Sequence, residues 1–340
     1  MGSRKIKRTL LAAAAFLFVA VIFIGSAEAA KMTLRMVGFL PVGHHTTLTE
    51  ELFIKEVEKN TNGEIKINHF PAQQLYNHKN SVSVLQTGGV DIGHVQTGFW
   101  TGACPTINVM AYLNMFDDAA HYWAVMKSEA GDIMRKEFEE FGNLKVVGNS
   151  NYGKNEVSSN KPLIKMEDFK GVRIRAAGGG YAHWVRAMGA APITMDSGEV
   201  YQAMQRRTID GAISGPSTFD QRKWYEVVKY ATDSNILPAY AYWFVVSLKT
   251  WNKLTPAQQK VFMDAGHKAM EWNLPVAEGV DNEAKAKTIK LGMVWNKIDP
   301  KEEARWRSAT VPRLLEDYKK LADPVKAKTI LDTIEKLRKK

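Results

Sequence analysis

The sequence predicts an α/β protein of two domains built on open sheets. Three observations carry this. The chain has 340 residues, more than one ordinary hydrophobic core organises. Its first hundred residues alternate strand-like and helix-like segments. A second β-α-β run, Lys161 to Gly215, repeats that alternation with no flexible linker between the two halves.

Ahead of the fold, Arg4, Lys5, Lys7 and Arg8 precede an apolar run from Leu10 to Ile24, and Ala27-Glu28-Ala29 has the small-residue form of a cleavage site. Residues 1–29 are expected to be a secretory leader cut near Ala29, because the run falls short of the roughly 20 apolar residues that a membrane span needs.

Thr33 to Gly38 alternates as a strand, and Leu48, Leu52, Phe53 and Val57 then recur at helical spacing up to Gly63. Ile65 and Ile67 mark the next strand, Ser81 to Thr87 a helix ended by Gly88-Gly89, and Val90 to Gly93 a third strand. Ligands of such sheets sit beyond the carboxyl ends of the strands, here the loops Phe39–His45 and His94–Trp100. One long helix is expected from about Asp117 to Phe141, then a strand from Leu144 to Gly148. In the second run, strands Arg173–Arg175 and Ile209–Ile213 flank a glycine run (Gly178–Gly180) and two helical segments. Asp196 and Glu199 have the spacing of a capping box. Tyr242 to Leu248 is an apolar strand, and Thr255-Pro256 opens a helix reaching about Leu291, with a kink expected at Pro275. The tail from Pro300 is helical and charged.

Composition narrows the function classes. The formal charge is +10, and removing residues 1–29 takes away four positive charges and one negative, leaving +7. The lysines are scattered and the chain reads as exported, so a nucleic-acid partner is not expected. Cys104 is the only cysteine, so no internal disulfide can form, and it reads as a small buried hydrophobe. His44-His45, His69, His78 and His94 lack metal-ligand spacing, and no nucleophile motif is present. Neither metal nor cofactor nor catalysis is expected. The glycine run lacks the Lys-Ser or Lys-Thr of a phosphate loop and reads as close backbone packing.

Arg173 and Arg175, two apart on a strand, point to one face. Either could clamp a carboxylate through paired hydrogen bonds, and periodicity does not choose between them. Of Trp100, Trp184, Trp224 and Trp243, Trp100 is the best pocket candidate, since it shares a strand-end loop with Gln96.

These residues carry a resemblance. Lys161-Pro162, Asp168-Phe169-Lys170-Gly171, Arg173-Ile174-Arg175, Gly189-Ala190, Pro192, Glu199-Val200-Tyr201-Gln202-Ala203 and Asp210-Gly211-Ala212 are similar, in order and spacing, to the substrate-binding proteins of TRAP (tripartite ATP-independent periplasmic) transporters, in their dicarboxylate-binding branch. Asn60-Thr61-Asn62-Gly63, Phe70 to Leu75 and Gly89 to Gly93 fit as well. The resemblance implies a two-domain periplasmic binding protein fold with mixed sheets, a ligand cleft between the domains and a long spanning helix. Residues 30–152 with 241–280 would form the first domain, and 153–240 with 281–340 the second. It implies capture of a small organic carboxylate in the periplasm, without catalysis, and delivery to the small and large subunits of a membrane permease. The family's carboxylate-binding arginine falls on Arg175. Gln96, Tyr152, Asn155 and Ser214 would add hydrogen bonds, Trp100 and Trp243 would shape a tail pocket, and His45 would reach the ligand from its loop. Many members carry a second ligand arginine where this chain has Asn155, and an asparagine where it has Ser214. One arginine with aromatic company suits a monocarboxylate, with an aromatic or apolar tail. The competing classes are an exported α/β enzyme acting on acidic metabolites and a ligand sensor serving a membrane receptor. Arg207 replaces a usual helix-ending glycine.

Overall fold

The computed structural model describes residues 32–100, 102–234 and 242–338. The leader predicted for residues 1–29 lies outside them. Strand β1 (Met32–Val37) is followed by α1 (His45–Asn60), β2 (Ile65–Phe70), α2 (His78–Gln86) and β3 (Ile92–Gln96). The predicted helix over 117–141 is two helices, α3 (Ala119–Met126) and α4 (Glu129–Gly142). Ser128 separates them because its hydroxyl caps the Ala130 N–H of the second. Strand β4 (Leu144–Ser150) then joins β10 (Tyr242–Ser247) to complete a five-stranded sheet in the order β2-β1-β3-β10-β4. β1 runs parallel to β2 and β3, whereas β10 is antiparallel to both β3 and β4.

The second sheet collects β5 (Glu156–Ser159), β6 (Arg173–Ala176), β7 (Ala191–Thr194), β8 (Gly211–Ser214), β9 (Tyr230–Asp233) and β11 (Val294–Lys297), in the order β11-β9-β5-β8-β6-β7. It too is mixed, with β5 antiparallel to β8 and β9. Helices α5 (Gly179–Ala187), α6 (Val200–Gln205) and α7 (Pro216–Gln221) connect its strands. After the short α8 (Leu248–Trp251), α9 (Pro256–Lys290) runs 35 residues, through Pro275. Its first part packs on α1 and β4 and its later part on α7, so one helix touches both halves. The helix approaches β4 through a glycine pair: a Cβ on Gly266 would lie 2.0 Å from the Val147 carbonyl oxygen.

The tail forms α10 (Pro300–Leu321), which lies on α5, and α11 (Pro324–Leu337), which packs on α3 and α4. The last helix thus returns to the first sheet's side, not the second's, where residues 281–340 were expected as one block. The largest core cluster runs continuously through Trp100, Phe138, Trp184, Trp306 and Ile334, tying these helices together. Cys104 is 1% exposed in that core, and burial pushes its thiol up to about 12.

Candidate functional site

Between the two sheets lies a narrow void of about 10 Å³, lined by Leu40, His78, Gln96, Tyr152, Asn155, Arg175, Ala177, Ser197, Ile213, Ser214 and Tyr242. A second void, also of about 10 Å³, shares Gln96, Tyr152 and Tyr242 with it and adds Tyr181. A wider hollow along α1 and β2 is open to solvent, and within it Lys66 pairs with Glu58.

Each wall has a local cause. Gln96 ends β3, opposite Tyr242 in the antiparallel register of β10. Tyr152 and Asn155 lie on the segment crossing from β4 to β5. Arg175 comes from β6 and Ser214 from the end of β8, two adjacent strands of the second sheet. Gly178, with φ 108°, lets the chain at the start of α5 press on the turn after β3; any Cβ there would sit 2.1 Å from the Gly98 carbonyl oxygen. That approach delivers Tyr181 to the void.

Arg175 is 2% exposed. Its Nε donates to the Met195 carbonyl (3.0 Å) and one terminal nitrogen to the Ile213 carbonyl (3.1 Å). It forms no ion pair among the described residues. Burial pulls its pKa down, and the neighbouring Tyr152, Asp196, Tyr242 and Tyr181 oppose that. Arg173, two residues earlier, is instead half exposed and held by Asp210: Nε and a terminal nitrogen meet the carboxylate at 3.0 and 2.8 Å, and the same terminal nitrogen donates to the Arg207 carbonyl (2.8 Å).

Hydroxyls and amides fill the remaining wall. Tyr152 Oη bonds Ser214 Oγ at 2.8 Å and Thr218 Oγ1 at 2.6 Å, and accepts from the Gly215 N–H. Tyr181 Oη accepts from Asn155 Nδ2 (3.0 Å) and Gln96 Nε2 (3.3 Å). Tyr152 stacks on Tyr242 with centroids 5.4 Å apart. Ser197 Oγ is buried without a hydrogen-bond partner. Asp196 beside it is buried too; burial raises its pKa, and Arg175 pulls it down. A second guanidinium, the half-buried Arg222, donates to the Phe39 carbonyl (3.3 Å).

Of the predicted site residues, the structure brings Gln96, Tyr152, Asn155, Arg175 and Ser214 onto one void. It does not bring Trp100, Trp243 or His45 there. Trp100 follows a 3-10 turn that swings its ring edge-on to Phe138, 4.9 Å away and out of solvent. Trp243 sits on the opposite face of β10 from Tyr242 and also packs on Phe138, at 4.7 Å. Neither shapes a tail pocket on the void. His45 is buried at the start of α1, with Nδ1 3.4 Å from Asn273, and burial lowers its pKa to about 3. Sequence reasoning missed Tyr181, Tyr242, Ser197 and His78. Strand parity across Tyr242-Trp243 was the available signal for one of them. The other three depend on packing between distant segments.

Residues 37–321 match the family of bacterial extracellular solute-binding proteins, family 7 (DctP). The C4-dicarboxylate-binding periplasmic protein DctP of Rhodobacter capsulatus is 28% identical over 298 residues, covering 85% of each chain. The sialic acid-binding periplasmic protein SiaP of Vibrio cholerae is 27% identical over 241 residues, 70% of this chain and 74% of its own. Among solved structures, a TRAP periplasmic solute-binding protein from Pseudomonas putida F1 with bound D-glucuronate superposes with a TM-score of 0.81 at 26% identity, over 91% of this chain and 98% of that one. One from Haemophilus influenzae with bound L-gulonate gives 0.83 at 25% identity, over 90% and 100%.

Proposed function

Because the chain belongs to family 7 of the bacterial extracellular solute-binding proteins, the non-enzymatic periplasmic binding proteins of TRAP transporters, we propose that it captures a compact monocarboxylate through Arg175. The ligand then passes to the small and large subunits of a membrane permease. The two domains divide as the two sheets do, with the void as the closed cleft. The observation that carries this reading is a guanidinium held 2% exposed on the void without an ion pair among the described residues. A buried cation of that kind is stable when a ligand anion completes it.

The rest of the ligand faces Tyr152, Tyr181, Tyr242, Gln96, Asn155, Ser197 and Ser214. Such a wall of hydroxyl and amide groups suits an acid bearing hydroxyl or keto oxygens, and gives no support to the aromatic or apolar tail expected from Trp100 and Trp243. The relatives that hold uronate and gulonate, a sugar acid and its like, are consistent with that choice.

A thermal-shift panel of small organic acids, followed by calorimetry on the best binder, tests it. Arg175→Ala should weaken binding by a hundredfold or more, since removing one partner of a buried pair costs about 3–5 kcal/mol. Arg173→Ala should stay within a few-fold of wild type. Equal losses in the two variants would sink the assignment.

A further inference from the structure

Two side chains on α9 hold the crossing segment near its two ends. Asn273 Oδ1 accepts the Asn151 N–H at 2.7 Å, while its Nδ2 donates to Thr49 Oγ1 of α1 at 3.0 Å. Eight residues on, two helical turns along the same face, Asp281 accepts twice. Oδ2 takes the Lys154 N–H and Oδ1 takes the Ser217 N–H of α7, each at 3.1 Å. Asn151 Oδ1 in turn accepts the Gly153 N–H at 2.7 Å. Gly153 has φ 96°, and a Cβ there would lie 2.1 Å from Asp281 Oδ2, so only glycine lets the carboxylate reach the main chain. Both side chains are buried, Asn273 at 0% and Asp281 at 5% exposure.

The clamped segment, residues 151–155, carries two groups of the void, Tyr152 and Asn155. The α7 turn that Asp281 also holds carries Thr218, whose hydroxyl bonds Tyr152 Oη. We infer that Asn273 and Asp281 are positioning residues of the ligand site. Asn273 fixes the crossing segment to the first half and Asp281 fixes it to the second, so that Tyr152 and Asn155 enter the cleft at a set depth. The inference rests on the cleft being the solute site. The clamp explains why a single helix touches both halves: it carries one anchor for each. Lys154 on the crossing segment is a charged neighbour of Asp281, and behind Ser217 lies His44, whose Nε2 is 3.2 Å from Ser217 Oγ.

Amide hydrogen exchange on the full chain tests the clamp. Asp281→Ala should speed exchange at least tenfold in residues 151–155 and 214–218 and leave β1 and β9 protected. Asp281→Asn, which keeps one acceptor oxygen, should restore part of that protection. Calorimetry with D-glucuronate, L-gulonate and the best binder of the acid panel should show a tenfold or larger loss in Asp281→Ala and a smaller one in Asp281→Asn. Unchanged exchange in both segments overturns the inference. So does loss of protection spread evenly over both sheets, or lost protection with unchanged affinity. If wild type binds no acid at all, the solute reading fails, and the exchange arm alone upholds or overturns the clamp.

Discussion

Arg173 and Arg175 share a strand face, yet their surroundings differ completely. Arg173 lies where β6 begins, beside Asp210, and its charge is already met. Arg175 lies one pleat further, toward the cleft, and its charge is not. Period-2 spacing carries the shared face but says nothing about depth along the strand, which is why the residues alone left the pair undecided and only the family pattern chose. Arg207 shows the converse. Its φ of 54° puts a side-chain-bearing residue in the left-handed region after α6, where Gly is favoured. Its carbonyl, which any residue would supply, takes the Arg173 hydrogen bond. Arg207→Gly should therefore raise stability by about 1 kcal/mol in urea unfolding. A loss of stability would show that the arginine side chain holds something the strain argument omits.

At the scale of elements, helices and strands with strong periodicity were legible from the chain. The boundaries that failed did so for local reasons. The break between α3 and α4 comes from a serine cap inside an otherwise helical pattern. Strand β3 starts at Ile92 rather than Val90, and Asp91 before it takes the Arg35 N–H and the Thr250 hydroxyl on its carboxylate. The parity of β10 decided which aromatic faces the void, and Tyr242 and Trp243 exchanged roles on that alone. The glycines of α9 and β4 had no visible meaning in the sequence. In the structure they set how deeply the long helix beds on the sheet. Gly266→Ala should cost about 1–3 kcal/mol, the usual toll of overpacking, seen as a lower midpoint in thermal unfolding. An unchanged midpoint would mean that helix and sheet shift apart freely.

For the whole molecule, the two-sheet plan followed from alternating elements and the mixed strand directions from the family resemblance, while the return of α11 to the first half followed from neither. Pairings such as β3 with β10 span well over a hundred residues, and no local pattern encodes them. Burial of ionisable groups on this scale shapes the pH response. Burial holds His45 down at about 3 and lowers His44 and His78 as well, so each imidazole contributes stability that is full above about 6.5 and lost as pH falls below it. Burial pushes Glu156 up to about 8, against hydrogen bonds from Thr232 and Ser234 that oppose it, and pushes Asp281 up to about 7. These two contribute stability at low pH that fades as pH rises through those values. Stability should therefore peak near pH 6.5 in chemical unfolding. Glu156→Gln should flatten the decline between pH 6.5 and 8; an undiminished decline would assign it to other groups.

The lone thiol of Cys104 has a practical consequence for studying closure. Enclosed in the core and pushed up to about 12, it stays protonated and out of reach at neutral pH. A pair of cysteines introduced on the outer surfaces of the two halves would be the only thiols open to a maleimide dye. The native chain is thus ready for donor–acceptor labelling without first deleting a cysteine, and the distance between the two halves can be compared with and without ligand one molecule at a time.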